Sequence, residues 1–285
     1  HLRRRHADRP LWLGVEPIAG KTIMLHAEQG FGDTIQFCRY VPVVLTRGAT
    51  VVMEVPRPLA ALLASIDGVS RIVAEGDPTP AFDVQCPLMS LPLAFRTTLE
   101  TIPADVPYLR TDLRRRDAWA HRLNSVAARE RPRIGLAWSG NPRHNNDENR
   151  SLRFAALAPL LALDATFVLL QPQVRECDAQ AVRASAVVSF GETLADFSDT
   201  AALTEQLDLV ISVDTSVAHL AGALGRPAWV LLPFAPDWRW LLERSDSPWY
   251  PTMRLFRQPR AGDWAAAIGE VAAALHAELA AAHLG

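Results

Sequence analysis

The stretch 209–225 reads Leu-Val-Ile-Ser-Val-Asp-Thr-Ser-Val-Ala-His-Leu-Ala-Gly-Ala-Leu-Gly. An apolar run of strand length breaks at Asp214, Thr215 and Ser216, and helix-spaced small and apolar residues follow. The break therefore stands at the carboxyl end of a parallel strand and the amino end of a helix. Free N–H groups and the positive end of the helix dipole favour an anion there, most often a phosphate. His219, four residues after Thr215, falls on the same helical face one turn in. A hydroxyl and an imidazole thus address one anion site. The same residues also suit an ordinary N-cap that satisfies the orphan N–H groups.

Three more loops carry chemistry. Gly30-Phe-Gly-Asp33 ends a short strand and opens a helix, and Gly30 and Gly32 permit close approaches that a Cβ would block. Asp33 is either a helix cap or a carboxylate able to act as a general base. Gln36, a possible sugar or base contact, and Arg39 follow it at helical spacing. The polar loop 138–151 follows another strand, where open α/β sheets bind ligands. Ser139, Gly140 and Asn141 are candidates for backbone or side-chain contacts to phosphate, with Trp138 and Gln171 at neighbouring strand ends as possible sugar or base contacts. Arg150 offers a fixed charge and a bidentate fork suited to a diphosphate. His144 lies among asparagines and aspartate, but no ligand spacing supports a metal. The fourth loop, 232–240, sets Asp237 and Trp238 beside Arg239 and Trp240, a pairing that suits stacking on a sugar or base, or a lid over the core.

The elements that position these loops alternate. Strands are predicted at 22–26, 51–55, 70–74 and 82–86, with helices from 31 to about 47 and at 58–66. After a looser stretch and a charged helix over about 113–128, strands are predicted at 133–139, 166–171, 187–190, 209–213 and 228–232. Helices fall at 154–163, 200–207, 216–224 and 263–283. This rhythm belongs to parallel sheets wrapped by helices. We divide the chain into a lead-in segment (1–20), a first Rossmann-like half (21–130) and a second (131–285).

With 285 residues, 49% hydrophobic and 21% charged, the chain has the make-up of a packed two-domain protein. A formal net charge of -2 argues against a broad nucleic-acid surface. The basic runs at 3–5 and 114–116 read as solvated surface. Cys38, Cys86 and Cys177 show no metal or C-x-x-C spacing and suit a reducing compartment such as the cytoplasm. No apolar run reaches membrane-spanning length, so no transmembrane segment is expected. The chain starts at His1, as a fragment of a longer protein would.

Four motifs in order carry a family resemblance. They are His26-Ala-Glu-Gln-Gly-Phe-Gly-Asp-Thr-Ile-Gln-Phe-Cys-Arg-Tyr40, Gly135-Leu-Ala-Trp-Ser-Gly-Asn-Pro-Arg-His144, Asp214-Thr-Ser-Val-Ala-His219 and Pro233-Phe-Ala-Pro-Asp-Trp-Arg-Trp240. From about Trp12 to Trp264 the chain resembles the catalytic region of bacterial tetratricopeptide-repeat glycosyltransferases. That group is related to the heptosyltransferases and more distantly to O-linked N-acetylglucosamine transferase. The resemblance implies a glycosyltransferase-B fold, two Rossmann-like domains facing a cleft, with a repeat domain ahead of this fragment. It implies that Asp33 is the base and that Asp214, Thr215, Ser216 and His219 hold the donor diphosphate. The relatives place a lysine near the donor phosphates, and here Arg150 stands for that charge.

The expected reaction is transfer of a sugar from a nucleotide-diphosphate sugar to a protein or glycan acceptor, with inversion. It uses no cofactor beyond that co-substrate and no metal. Asp33 takes the acceptor proton, while Arg150, Thr215, Ser216, His219 and the helix dipole stabilise the leaving diphosphate. Two rivals stand beside it: a nucleotide-sugar epimerase on the same fold, and a non-catalytic module that binds nucleotide sugars or partners.

Overall fold

The computed structural model describes residues 5–127 and 129–282. Two all-parallel sheets organise them. The first has the order β3-β2-β1-β4, from β1 (Thr22–His26), β2 (Thr50–Val55), β3 (Val69–Ala74) and β4 (Val84–Pro87). The second has the order β6-β5-β7-β8-β9, from β5 (Arg133–Ala137), β6 (Thr166–Leu169), β7 (Leu209–Val213), β8 (Ala228–Leu232) and β9 (Met253–Arg257).

Strand order fixes where each sheet opens. In the second sheet β5 leads outward to β6, and the chain then returns to β7 on the other flank of β5. Such a reversal leaves a crevice between the loops that leave β5 and β7, the usual ligand position of an open α/β sheet. The first sheet reverses likewise between β1 and β4.

Both faces of the second sheet are buried, as a parallel sheet requires. Ile134, Leu136, Leu209, Ile211, Val213, Trp229 and Leu231 point to one face, covered by Ile268, Val271 and Leu275 of the Trp264–Ala282 helix. The alternate residues Val210, Ala228, Val230 and Leu232 point to the other, toward the Ser216–Ala223 and Phe197–Thr204 helices. That second cluster continues without a break into Ile23, Leu25, Ile35 and Phe37 of the first half. One apolar core therefore spans both halves, and the Phe31–Phe37 helix packs directly on Ser216–Ala223.

The lead-in segment lies on the first sheet. Trp12 N–H donates to Gln85 O at 2.9 Å and Gln85 N–H to Pro10 O at 2.9 Å, and the Trp12 indole is buried. The Leu113–Val126 helix, capped by Asp112, packs on Phe197–Thr204 of the second half. Arg115 pairs with Asp196 at 3.0 Å and Asp199 at 3.1 Å, and Trp119 Nε1 donates to Asp199 at 3.1 Å.

Local differences from the sequence expectations have local causes. The 187–190 segment makes a single bridge, Val188 to Val168, and no strand. β9 escapes the sequence pattern because Arg254 and Arg257 interrupt its apolar residues at a sheet edge. Glu176–Arg183 forms a helix whose buried residues are only Asp178 and Val182, too few for a visible stripe. Ala128 and His283, the expected ends of two helices, lie outside the described residues.

Candidate active site

The β5/β7 crevice gathers the second-half residues. After β7, Thr215 caps the Ser216–Ala223 helix, its Oγ1 accepting from Val217 N–H at 3.3 Å. That leaves the amino end of the helix turned to the crevice, with Ser216 half-exposed at the first position. After β5, the Arg150 guanidinium lies over Gly140 and donates through Nη1 to Asp214 O at 3.1 Å. A Cβ on Gly140 would sit 2.7 Å from Arg150 Nη2, so the bare Cα makes room for that charge. Arg150 thus bridges the two loops at the switch point.

The 138–140 backbone itself is already committed. Gln171 Oε1 accepts from the N–H groups of Trp138 at 3.0 Å and Ser139 at 3.2 Å, and Gly140 N–H donates to Ser151 Oγ at 3.0 Å. Backbone donation from Ser139 and Gly140 to a phosphate is therefore replaced by bonds to Gln171 and Ser151. The Ser139 hydroxyl, accepting from Gln171 Nε2 at 3.1 Å, keeps its own proton to donate. Gln171 shapes this loop. Trp138 is buried against Phe154 and donates Nε1 to Asp178 at 3.0 Å, so it holds the loop from inside the core. Arg175 also reaches in, donating to Gly140 O and to Ser151 Oγ, both at 3.1 Å, and to Asp147. Asn141 and His144 stay on the exposed rim, where Asn141 Oδ1 accepts from Arg143 N–H and His144 Nδ1 accepts from Asn146 N–H.

From the first half comes Asp33, on the Phe31–Phe37 helix that packs on Ser216–Ala223. Its Oδ2 accepts from Gly30 N–H at 2.9 Å, which caps the Phe31–Phe37 helix, and its Oδ1 accepts from Arg239 Nη2 at 2.6 Å. Arg239 comes from the loop after β8, so the carboxylate of one half is held by the guanidinium of the other. Arg239 Nε lies 2.9 Å from Asp237 Oδ1, and Nη1 lies 3.4 Å from His219 Nε2. Asp237 caps the short Trp238–Trp240 helix by accepting from Arg239 N–H at 3.1 Å.

His219 is buried among these groups. Its ring stacks on Trp240, with centroids 5.4 Å apart, and its Nδ1 lies 2.9 Å from the Tyr250 hydroxyl. Burial, and then the nearby Arg239, Arg39 and Arg150 charges, push its pKa well below the usual imidazole value. A guanidinium only donates, so Nε2 is the accepting nitrogen and Nδ1 carries the proton toward Tyr250. The imidazole is neutral and lends no positive charge to the crevice. Burial raises the pKa of the adjacent Asp214 carboxyl, against the pull of Arg239 and Arg150.

Arg39 pins the halves together below this point. Its guanidinium lies 4.6 Å from the Tyr108 ring and 4.4 Å from the Tyr250 ring, and donates to Trp249 O and to Tyr108 Oη. Gln36 is fully buried, with neither amide atom partnered among the described residues. Trp238 is 57% exposed, backed by Phe37 in a stacked contact and by Trp249 edge-on. Asp33 and Phe37 lie four apart on one helix, so Trp238 flanks the carboxylate one turn away.

Sequence reasoning brought Asp33, Arg150 and the Asp214–His219 turn to one region. It assigned no site role to Arg239, Arg175, Tyr108 or Tyr250. The D-W-R-W run was a signal for Arg239, because an arginine between two tryptophans after a strand end is poorly placed for a solvated surface. Arg175 and Tyr108 stand in segments with no pattern of their own.

The two facing α/β halves and their switch-point crevices define the glycosyltransferase-B fold, which the comparisons with solved structures bear out. The chain is similar to E. coli ADP-heptose lps heptosyltransferase II, with a TM-score of 0.61 at 13% identity over 92% of this chain and 99% of that one. It is also similar to TibC, an iron-containing dodecameric glycosyltransferase from enterotoxigenic E. coli, with a TM-score of 0.60 at 12% identity over 93% and 78%. Among curated proteins it is similar to Protein FlbA of Caulobacter vibrioides, 27% identical over 289 residues that cover 93% of this chain. The chain spans 48% of that relative's length. No family model matches the chain. No helix among the described residues is long and apolar enough to cross a membrane.

Proposed function

We propose that this chain is a glycosyltransferase that moves a hexosyl or heptosyl unit from a nucleotide-diphosphate sugar to a hydroxyl or amide of a protein or glycan. The observation that carries the reading is Arg150 joining the β5 and β7 loops at the helix amino end, with the Asp33 carboxylate of the other half held by Arg239, which also lies against His219 of that helix.

In this reading the diphosphate sits at the amino end of the Ser216–Ala223 helix. Arg150, Ser139 Oγ, Thr215 and Ser216 meet the charge that builds on the leaving phosphate oxygen. Asp33 removes the acceptor proton as the acceptor atom bonds to the anomeric carbon. The bond from that carbon to the phosphate oxygen breaks, and its electron pair leaves with the diphosphate. Attack from the face opposite the leaving group inverts the anomeric centre. Trp238, exposed beside Asp33, offers a stacking face to the acceptor. None of these residues' roles calls for a metal; because the similar TibC is iron-containing, turnover is measured with and without a chelator.

A panel of nucleotide sugars tests the reading by thermal stabilisation and then by transfer. A true donor at a hundred times its dissociation constant adds about 2.7 kcal/mol. Donor turnover that needs no acceptor would favour an epimerase, and absence of stabilisation by every nucleotide sugar would overturn the donor site.

A further inference from the structure

We infer that Arg239 is a positioning residue that assembles the base across the interface, so that the orientation of Asp33 for proton removal depends on a contact from the other half. The inference rests on the reading of Asp33 as the base. Within its own half that carboxylate has one fixed contact, Gly30 N–H on Oδ2. The other oxygen takes its orientation from Arg239, 206 residues away in sequence and on the opposite half. Each oxygen retains a further lone pair, so the carboxylate is oriented and still able to accept a proton.

The guanidinium is held on three sides. Nη2 donates to Asp33, Nη1 lies 3.4 Å from His219 Nε2, and Nε lies 2.9 Å from Asp237 Oδ1 as an ion-pair approach without hydrogen-bond alignment. The three contacts come from three elements: the Phe31–Phe37 helix, the Arg239 loop itself and the Ser216–Ala223 helix that carries the donor turn. The guanidinium thus ties the carboxylate to the helix that carries the donor turn. A planar fork serves this geometry and a lysine ammonium does not.

The loop is braced to hold it. Leu241 and Glu243 adopt left-handed backbone, with φ of 55° and 42°, which costs a non-glycine residue about 1 kcal/mol or more each. Arg257 fastens this turn by donating to Trp240 O at 2.7 Å and to Arg244 O at 3.0 Å. Strain kept in place by dedicated bonds places Arg239 at one position, behind the indole of Trp238.

The test is a cycle of Asp33→Asn, Arg239→Met and the double variant in the full chain. Turnover, acceptor KM and calorimetric affinity for the nucleoside diphosphate are measured for each. We expect Arg239→Met to lower kcat on the order of 10²-fold, the scale of a misplaced reacting group, with diphosphate affinity unchanged. We expect the double variant to be no slower than Asp33→Asn alone, and Arg239→Lys to recover only part of the rate. If Arg239→Met fails to fold, Arg239→Lys carries the test, because it keeps the charge and loses the fork. Wild-type kcat in the folded arginine variant, or losses that multiply in the double variant, would overturn the inference while leaving Asp33 as base. Near-normal turnover of Asp33→Asn would instead overturn the reading beneath it.

Discussion

A Cβ on Gly32 would lie 2.7 Å from Cδ2 of His219. The helix that carries the candidate base and the helix that carries the anion turn therefore meet at a point where one methyl group has no space. His219 cannot yield, because it is clamped between Trp240, Tyr250 and Arg239. The small residue before Asp33 thus sets the distance between the two halves of the site.

Gly32→Ala separates packing from propensity. In an exposed helix the change stabilises by about 0.5–1 kcal/mol. Here we expect net destabilisation of about 1–3 kcal/mol, the usual cost of overpacking, and a fall in turnover as the helices part. Urea melts and kcat check both, and a more stable, fully active variant would show that the contact relaxes freely.

Acid should weaken the fold through His219. Its folded pKa lies well below the ordinary imidazole value of 6.5. Just below pH 6.5 the unfolded chain therefore binds a proton that the folded chain refuses. Stability is full above that pH and declines as pH falls through this window, by up to about 1.4 kcal/mol per pH unit for one proton. His26, also lowered by burial, acts in the same direction. The comparison of wild type with His219→Gln isolates one group: denaturant midpoints between pH 7 and 5 should fall less steeply in the variant.

Arg150→Ala is expected to weaken nucleoside-diphosphate binding about 10-fold or more, within the range for hydrogen bonds to charged groups. Among the described residues the side chain makes one hydrogen bond, to Asp214 O, and a long ion-pair approach of 4.0 Å to Asp147, so stability should change little. Calorimetry reads the affinity. Unchanged binding would move the charge to Arg175, which also reaches Gly140.

Trp238→Ala should leave the melting temperature nearly unchanged, since the indole is 57% exposed. Its effect is expected in the acceptor KM, with donor affinity intact. An unaltered acceptor KM would reduce the tryptophan to a cover for Phe37.

Much of this architecture was legible in the residues. β1, β7 and β8 are apolar runs bounded by turn residues, and the structure places them where the pattern does. The Asp214–Ser216 turn was legible because a capping residue after a buried strand has one geometric meaning. The commitments of side chains inside the loops were not. Gln171 and Trp138 have the chemistry of ligand contacts, yet their hydrogen bonds go to the 138–139 backbone and to Asp178. Arg239 meets Asp33 only through tertiary packing, and no spacing in one chain announces a pair 206 residues apart. The neutrality of His219 follows from burial beside three arginines drawn from distant segments.

Turnover of Asp33→Asn tests the central claim most directly. Asp33 stands at N3, where the amide oxygen of an asparagine can still accept from Gly30 N–H, so that contact and the fold should persist, though the ion pair with Arg239 is lost. With Asp33 as the base, we expect kcat to fall on the order of 10²–10⁴-fold, while affinity for the nucleoside diphosphate is retained. A folded variant with near-wild-type turnover would contradict this account, leave Asp33 as a helix cap and interface anchor, and turn the search for a base to Glu28, whose pKa is raised chiefly by burial.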